Sequence, residues 1–195
     1  VKVHQLSVKD TKKGHYLCAI IKERGQATRT LLKAILPKVI LATPFPKTMR
    51  WADLDIAFAR PIHSCLALLG SKMISFKLGN VKANRYAYGH YFMRPGKIKI
   101  DSADDYFKRL KAARVIVDLD DRRKAVEGEI NKAAQKVGGR ILPDAELVDI
   151  VNNLVEYPVA AAGEFDQEFL DLPDEVLITA MREHQKYFAV VNKSQ

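Results

Sequence analysis

Extended and helical periods succeed one another along this chain without the strict strand–helix–strand alternation that builds a parallel sheet, and that order limits the fold more than any single motif. Residues 1–25 alternate loosely and contain a strand-like run, Tyr16–Ile21, punctuated by Gly14 and Gly25. Thr28 caps a predicted helix with Leu31, Leu32, Ile35, Val39 and Ile40 at 3–4 spacing. Pro37 should kink or split that helix, and Pro44-Phe45-Pro46 must follow its end. Residues 56–69 and Met73–Leu78 read as strands joined at Gly70-Ser71, a two-residue hairpin signal. Val81–Phe92 is expected to be extended and Ile98–Ile100 to be a short strand. Asp101 or Ser102 caps a helix to Arg114, Val115-Ile116-Val117 breaks the period, and a longer helix spans Leu119–Val137. Asp120 and Asp121 suit its positive end, and Gly138-Gly139 stops it. A further helix covers Asp144–Val155, a small-residue strand Pro158–Ala162, a last helix starts near Pro173, and Tyr187–Val191 closes the pattern as a strand. The sum is an α+β fold, with helices packed on a mixed, mostly antiparallel sheet.

A chain of 195 residues can bury a real core, and 48% hydrophobic with 28% charged residues excludes a disordered chain. No apolar run approaches the roughly 20 residues of a membrane span. Val1-Lys2-Val3-His4 has no signal-peptide anatomy. Cys18 and Cys65 stand far apart with no Cys-x-x-Cys, so the expectation is buried, reduced thiols of a cytoplasmic protein rather than a zinc ribbon or a disulfide framework. His63, His90 and His184 match no zinc spacing. Neither a phosphate-binding loop, nor a dinucleotide fingerprint, nor a nucleophile elbow occurs, so no self-contained ATP site or catalytic residue is expected. The missing initiator Met and the ending in mid-pattern read as a segment of a longer protein.

The net charge is +9, which biases the surface toward polyanions. Four words concentrate cations with rings. Lys47, Arg50 and the single Trp, Trp51, lie in a proline-pinned loop: the cations suit phosphates and the indole suits a base, or the indole is a core anchor. Arg60 and His63 follow in a probable strand whose alternation places them on opposite faces. The stretch Arg85 to Arg94, with His90 at its centre, has the composition of single-strand readers and equally of a half-buried strand. At the last helix–strand junction, Arg182, Gln185 and Lys186 are candidates for RNA contact, with Tyr187 and Phe188 assigned to the core.

These words, taken in order, resemble the β subunit of the two-subunit, bacterial-type glycyl-tRNA synthetases. They are Pro46-Lys47-Thr48-Met49-Arg50-Trp51, Phe58-Ala59-Arg60-Pro61-Ile62-His63, Leu68-Leu69-Gly70, Gly89-His90-Tyr91-Phe92-Met93, Leu154-Val155-Glu156-Tyr157-Pro158-Val159, Phe165 to Pro173, and Met181 to Phe188. The chain departs from the family pattern at Ala52, Ser64 and Tyr91, where that pattern often has Gly, another residue and Arg. The resemblance implies an N-terminal strand–helix segment over 1–50. It also implies an α+β domain over 51–195, similar to the B3/B4 module of phenylalanyl-tRNA synthetase, with the HD-like and anticodon-binding domains lying outside this segment. It implies an α2β2 enzyme joining glycine to its tRNA. ATP and Mg2+ would be used at the α subunit and no cofactor held by this segment. The partners would be that α subunit and glycine tRNA, with no membrane and no DNA. The alternatives are an editing hydrolase of mischarged tRNA, which glycine scarcely needs because larger side chains can be excluded by size, or a purely structural interface module.

Overall fold

The computed structural model describes residues 2–19, 21 and 24–192. The chain divides into two compact units, residues 1–59 and 60–195. Among the described residues, no helix is long and apolar enough to cross a membrane.

In the first unit, β1 (Leu6–Thr11) and β2 (Gly14–Ala19) pair antiparallel from Leu6↔Ala19 to Thr11↔Gly14. Ile20, the next residue of the expected strand, lies outside the described residues. Helix α1 (Thr28–Leu41) takes Ala27 as its N-cap, without a side-chain cap, so Thr28 is the first helical residue rather than the cap. The helix continues through Pro37 and is not split. Proline there removes one amide donor, and the remaining ladder holds. After the helix, the Phe45 and Phe58 rings meet edge-on with centroids 4.7 Å apart. Met49 and Phe58 exchange backbone hydrogen bonds of 2.9 and 3.2 Å. None of the described residues of this unit is buried, and Leu31, Ile35, Val39 and Leu41 of α1 are exposed.

The second unit holds the buried core. The hairpin of β3 (Leu68–Leu69) and β4 (Lys72–Met73) turns at Gly70-Ser71 as expected. Gly70 takes a φ of 58°, a left-handed conformation that glycine adopts without a Cβ penalty. Two more antiparallel pairs follow, β5 (Lys77–Leu78) with β6 (Val81–Lys82) and β7 (Tyr86–Tyr88) with β8 (Lys97–Lys99). Backbone bonds extend each pair by one step, from Ile74 N–H to the Ala67 carbonyl at 3.0 Å, Ala83 to Phe76 at 2.9 Å and Ile100 to Arg85 at 2.9 Å, while Ala67 N–H to the Asn84 carbonyl at 3.1 Å and Asn84 N–H to the Cys65 carbonyl at 2.9 Å join the first pair to the segment between β6 and β7. Ile74, Phe76 and Leu78 alternate inward and pack the core with Ala67, Ala83 and Ile100, all buried. The long strand expected over 56–69 is mostly irregular, with β pairing at Phe58, at Leu66 (a parallel bridge to Asn84) and at Leu68–Leu69. Pro61 supplies no amide donor in its middle.

Helices α2 (Tyr106–Ala112), α3 (Leu119–Lys136) and α4 (Ala145–Leu154) complete the core through Leu110, Val126, Ala134, Leu147 and Val148. Asp118 caps α3 by accepting the Asp121 N–H at 2.9 Å, and Asp144 caps α4 by accepting the Leu147 N–H at 2.8 Å. Asp120 and Asp121 occupy the first turn of α3, as expected. Arg122 clamps the two helices together, donating to the Asn152 carbonyl and the Ile116 carbonyl at 2.8 Å each. The buried Asn152 amide reaches back to the Leu119 carbonyl at 3.1 Å. Strand β9 (Gly139–Ile141) pairs with β10 (Val190–Asn192), which closes the unit. Residues 158–162 form no strand. Helix α5 (Asp174–Thr179) widens into a π-type turn over Ala180–Gln185. The class is therefore α+β, with the strands among the described residues arranged as five two-stranded antiparallel ladders rather than one continuous sheet.

Candidate nucleic-acid interface

The sequences Tyr-Ala-Tyr and Lys-Ile-Lys alternate polar with apolar, so each strand of the β7–β8 ladder has an inner and an outer face. The register pairs Tyr86 with Lys99, Ala87 with Ile98 and Tyr88 with Lys97. Opposed residues of an antiparallel pair share a face. Ala87 and Ile98, both half-buried, therefore form one side, and two tyrosines beside two lysines form the other. Tyr86 is 41% exposed and Tyr88 49%. Lys99 reaches the Asp101 carboxylate at 3.0 Å, and Arg109 lies 3.5 Å from the same group. The Lys99 hydrogen bond is the main reason that the Asp101 carboxyl is held below the usual carboxylate range. Lys97 has no carboxylate partner among the described residues.

The loop from β7 to β8 is built as a rigid turn. Gly89 N–H bonds the Gly96 carbonyl at 3.2 Å, His90 N–H bonds the Ala113 carbonyl at 3.0 Å, and Arg94 N–H bonds the His90 carbonyl at 3.0 Å. The His90 Nδ1 accepts from the backbone N–H groups of Phe92 and Met93, both at 3.2 Å. That nitrogen is thus unprotonated, and the ring carries its proton on Nε2. A Cβ on Gly89 would fall 2.2 Å from the Arg94 carbonyl oxygen and 3.2 Å from Ala113, so only glycine allows this approach. The turn pushes Tyr91 and Phe92 outward, 78% and 82% exposed, with their rings 4.9 Å apart edge-on. Arg94 is exposed beside them. Four rings and the cations of Arg94, Lys97 and Lys99 thus occupy one hairpin.

The other candidate residues lie elsewhere. In the first unit, Lys47 and Arg50 are exposed, Arg50 3.3 Å from Asp55, and Trp51 is half-buried. Ala52 has a φ of 50°, the left-handed region in which glycine is the less strained residue. Arg60 opens the second unit as an exposed cation. Arg85, next to Tyr86 in sequence, is on the opposite side of the strand and donates to the Ser71 carbonyl at 3.3 Å. Arg182 is held by carboxylates, donating to Asp144 at 2.6 and 3.4 Å, to Glu146 at 2.6 Å, and to Glu183. Lys186 lies 3.7 Å from Glu183, and Gln185 is exposed. Phe188 is half-buried, while Tyr187, expected in the core, is exposed, because Lys186 turns left-handed (φ 56°) and redirects the chain just before it. Cys18 and Cys65 are unpaired and half-buried rather than buried, and partial burial raises the Cys65 thiol. Among the described residues no group of three or more His, Cys, Asp or Glu side chains is placed to hold a metal ion.

The sequence profile of the family described as Glycyl-tRNA synthetase beta subunit matches residues 1–195. The chain belongs to the glycyl-tRNA synthetase beta subunit family. It is 50% identical over 188 residues to the glycine–tRNA ligase beta subunit of Desulforapulum autotrophicum, covering 96% of this chain and 27% of that protein. The counterpart in Desulfatibacillum aliphaticivorans is 49% identical over 193 residues, covering 99% of this chain and 28% of that protein. That of Moorella thermoacetica is 44% identical over 192 residues, with 98% and 28% covered. The chain therefore spans little more than a quarter of the length of these beta subunits. Sequence reasoning placed Arg85, His90 and Arg94 of this beta-subunit segment among the candidates. It read the composition of the Arg85–Arg94 stretch as that of single-strand readers without singling out Tyr86, Tyr88, Tyr91 and Phe92, and it missed Lys97 and Lys99. The available signal was the matched alternation of Tyr-Ala-Tyr and Lys-Ile-Lys, which acquires meaning only once the two are paired.

Proposed function

We propose that this chain serves glycyl-tRNA synthesis in the cytoplasm, as the part of a β subunit that grips and positions glycine tRNA. In this reading an α subunit activates glycine with ATP and Mg2+, and the present segment supplies no reacting group. Its contribution is to hold the tRNA so that its 3′ end reaches the distant site, an entropic advantage that needs no catalytic side chain here. Kinship with the B3/B4 module of phenylalanyl-tRNA synthetase belongs to the same reading.

The observation that carries the proposal is the β7–β8 hairpin, where exposed tyrosines stand directly opposite lysines on one face. Lysines neutralise phosphates and rings accept bases, whereas a hairpin serving only as core would turn those rings inward. Lys47, Arg50, Trp51 and Arg60 are candidates for further backbone contacts in this reading, as are Gln185 and Lys186. Arg182 and Arg85 serve it indirectly, by fixing the turns that they bond.

The test uses the complete α/β enzyme. Reversing two charges, Arg94→Glu with Lys97→Glu, is expected to raise the KM for glycine tRNA. Glycine-dependent ATP–pyrophosphate exchange, which needs no tRNA, should stay at its normal rate. An unchanged tRNA KM sinks the proposal.

A further inference from the structure

Resting on that tRNA contact, we infer that the β7–β8 hairpin takes an unpaired stretch of RNA rather than a double-helical stem, with successive bases lying on Tyr86 and Tyr88. The register is the first reason. Tyr86 and Tyr88 are two residues apart on one face, so their rings stand roughly 7 Å apart along the strand. Bases in a stem stack about 3.4 Å apart, leaving no gap for a ring and hiding every base face except the last. An unstacked strand opens to about twice that repeat and presents each face in turn. The spacing of the rings fits the open strand.

The second reason is how cation and ring are placed together. Lys97 lies directly across from Tyr88, and Lys99 across from Tyr86. Side chains so opposed begin about 5 Å apart, close enough for a base on the ring to bring its phosphate to the ammonium. Lys99 is partly committed to Asp101, which leaves Lys97 as the freer phosphate ligand. A stem is recognised through its phosphates and 2′-hydroxyls, and lysines and arginines would suffice for that. Exposed Tyr91 and Phe92 add nothing on a stem, but they extend the stacking surface for an open strand beyond the end of β7.

The turn is held ready for this. The Gly89 approach, the His90 ring accepting two backbone N–H groups, and the His90-to-Ala113 bond fix the base of the Tyr91–Phe92 projection before any ligand arrives. Preorganisation of this kind lowers the ordering cost of binding.

The experiment uses the complete α/β enzyme with Tyr91 replaced by p-benzoylphenylalanine, irradiated in the presence of glycine tRNA, and the crosslinked nucleotides are mapped. The expected crosslinks fall in unpaired nucleotides. In parallel, Tyr86→Ala and Tyr88→Ala should each raise the tRNA KM about fivefold or more, and Tyr86→Phe and Tyr88→Phe should restore it, since a stacked base is worth about 1–3 kcal/mol and phenylalanine keeps the ring. Crosslinks confined to stems, or phenylalanine behaving like alanine, overturn the inference. If in that case the Arg94→Glu/Lys97→Glu enzyme still shows a raised tRNA KM, the tRNA contact itself survives. Absence of RNA crosslinks together with weakened α/β assembly in the alanine variants would make the rings a protein-facing surface and remove both readings.

Discussion

Residues 85–99 and residues 181–188 are written in nearly the same alphabet of Arg, Lys, His, Tyr and Phe, and folding treats them in opposite ways. In the second stretch Arg182 is surrounded: Asp144 and Glu146 come from the N-terminus of α4, and Glu183 from its own turn. Its side chain is only 22% exposed, and the hydrogen bond to Asp144 leads in raising its proton affinity above that of an ordinary arginine. The same contacts lower the Asp144 and Glu183 carboxyls. In the first stretch, by contrast, Arg94 and Lys97 face solvent beside rings. Cation content alone therefore says nothing about function; what matters is whether carboxylates from another element arrive to neutralise it. Asp144 serves α4 twice, as its N-cap and as the anchor of Arg182.

The contrast breaks most sharply on the tyrosines. Joint replacement, Tyr86→Ala with Tyr88→Ala, should weaken tRNA binding by at least about 2 kcal/mol, from two stacked bases at about 1 kcal/mol or more each, with little change in thermal stability because both rings are already exposed. Kinetics of aminoacylation beside a melting curve check this, and a collapse of Tm without a KM effect would reverse the assignment. Next comes Gly89→Ala. The added Cβ meets the Arg94 carbonyl at 2.2 Å, so the turn must shift, at a cost of about 1–3 kcal/mol in stability and with a raised tRNA KM.

Arg182→Ala should do the reverse of the tyrosine pair, lowering Tm more than it affects tRNA affinity. The pH dependence follows from the lowered Asp144 and Glu183 carboxyls. A carboxyl whose folded-state pKa is depressed contributes stability above its unfolded pKa, and that contribution fades as pH falls through the folded value. The normal protein should therefore lose Tm on acidification below the ordinary carboxylate range, and Arg182→Ala should flatten that slope. A parallel pair of Tm–pH curves would contradict the clamp. The smallest effect is expected of Lys97→Ala: a modest loss of affinity and a salt dependence of tRNA binding shallower by about one phosphate contact.

Much of this was legible in advance, and the gaps have physical causes. Helices α3 and α4 follow from their apolar period, and α3 also from Asp120 and Asp121 in its first turn, which are local signals, whereas the caps Asp118 and Asp144 emerge only in the structure. The Gly70-Ser71 hairpin follows from turn chemistry. The strand expected at 158–162 does not form: a strand needs a partner, and none of the ladders among the described residues includes this stretch. Pro37 does not split α1, which continues through it. The site divides along the same line. Arg94 and His90 could be picked out by composition. The Tyr86–Lys99 and Tyr88–Lys97 pairs depend on register, and the fate of Arg182 depends on carboxylates dozens of residues upstream, which no local pattern reveals.

The most direct test is acetylation of lysines on the complete α/β enzyme by an amine-reactive ester, followed by mass spectrometry, with and without glycine tRNA. Lys97 should be shielded when the tRNA is present, while Lys132, paired with Glu129 at 2.9 Å on α3, should react equally in both samples. Equal labelling of Lys97 with and without tRNA would contradict the assignment of the β7–β8 face to RNA.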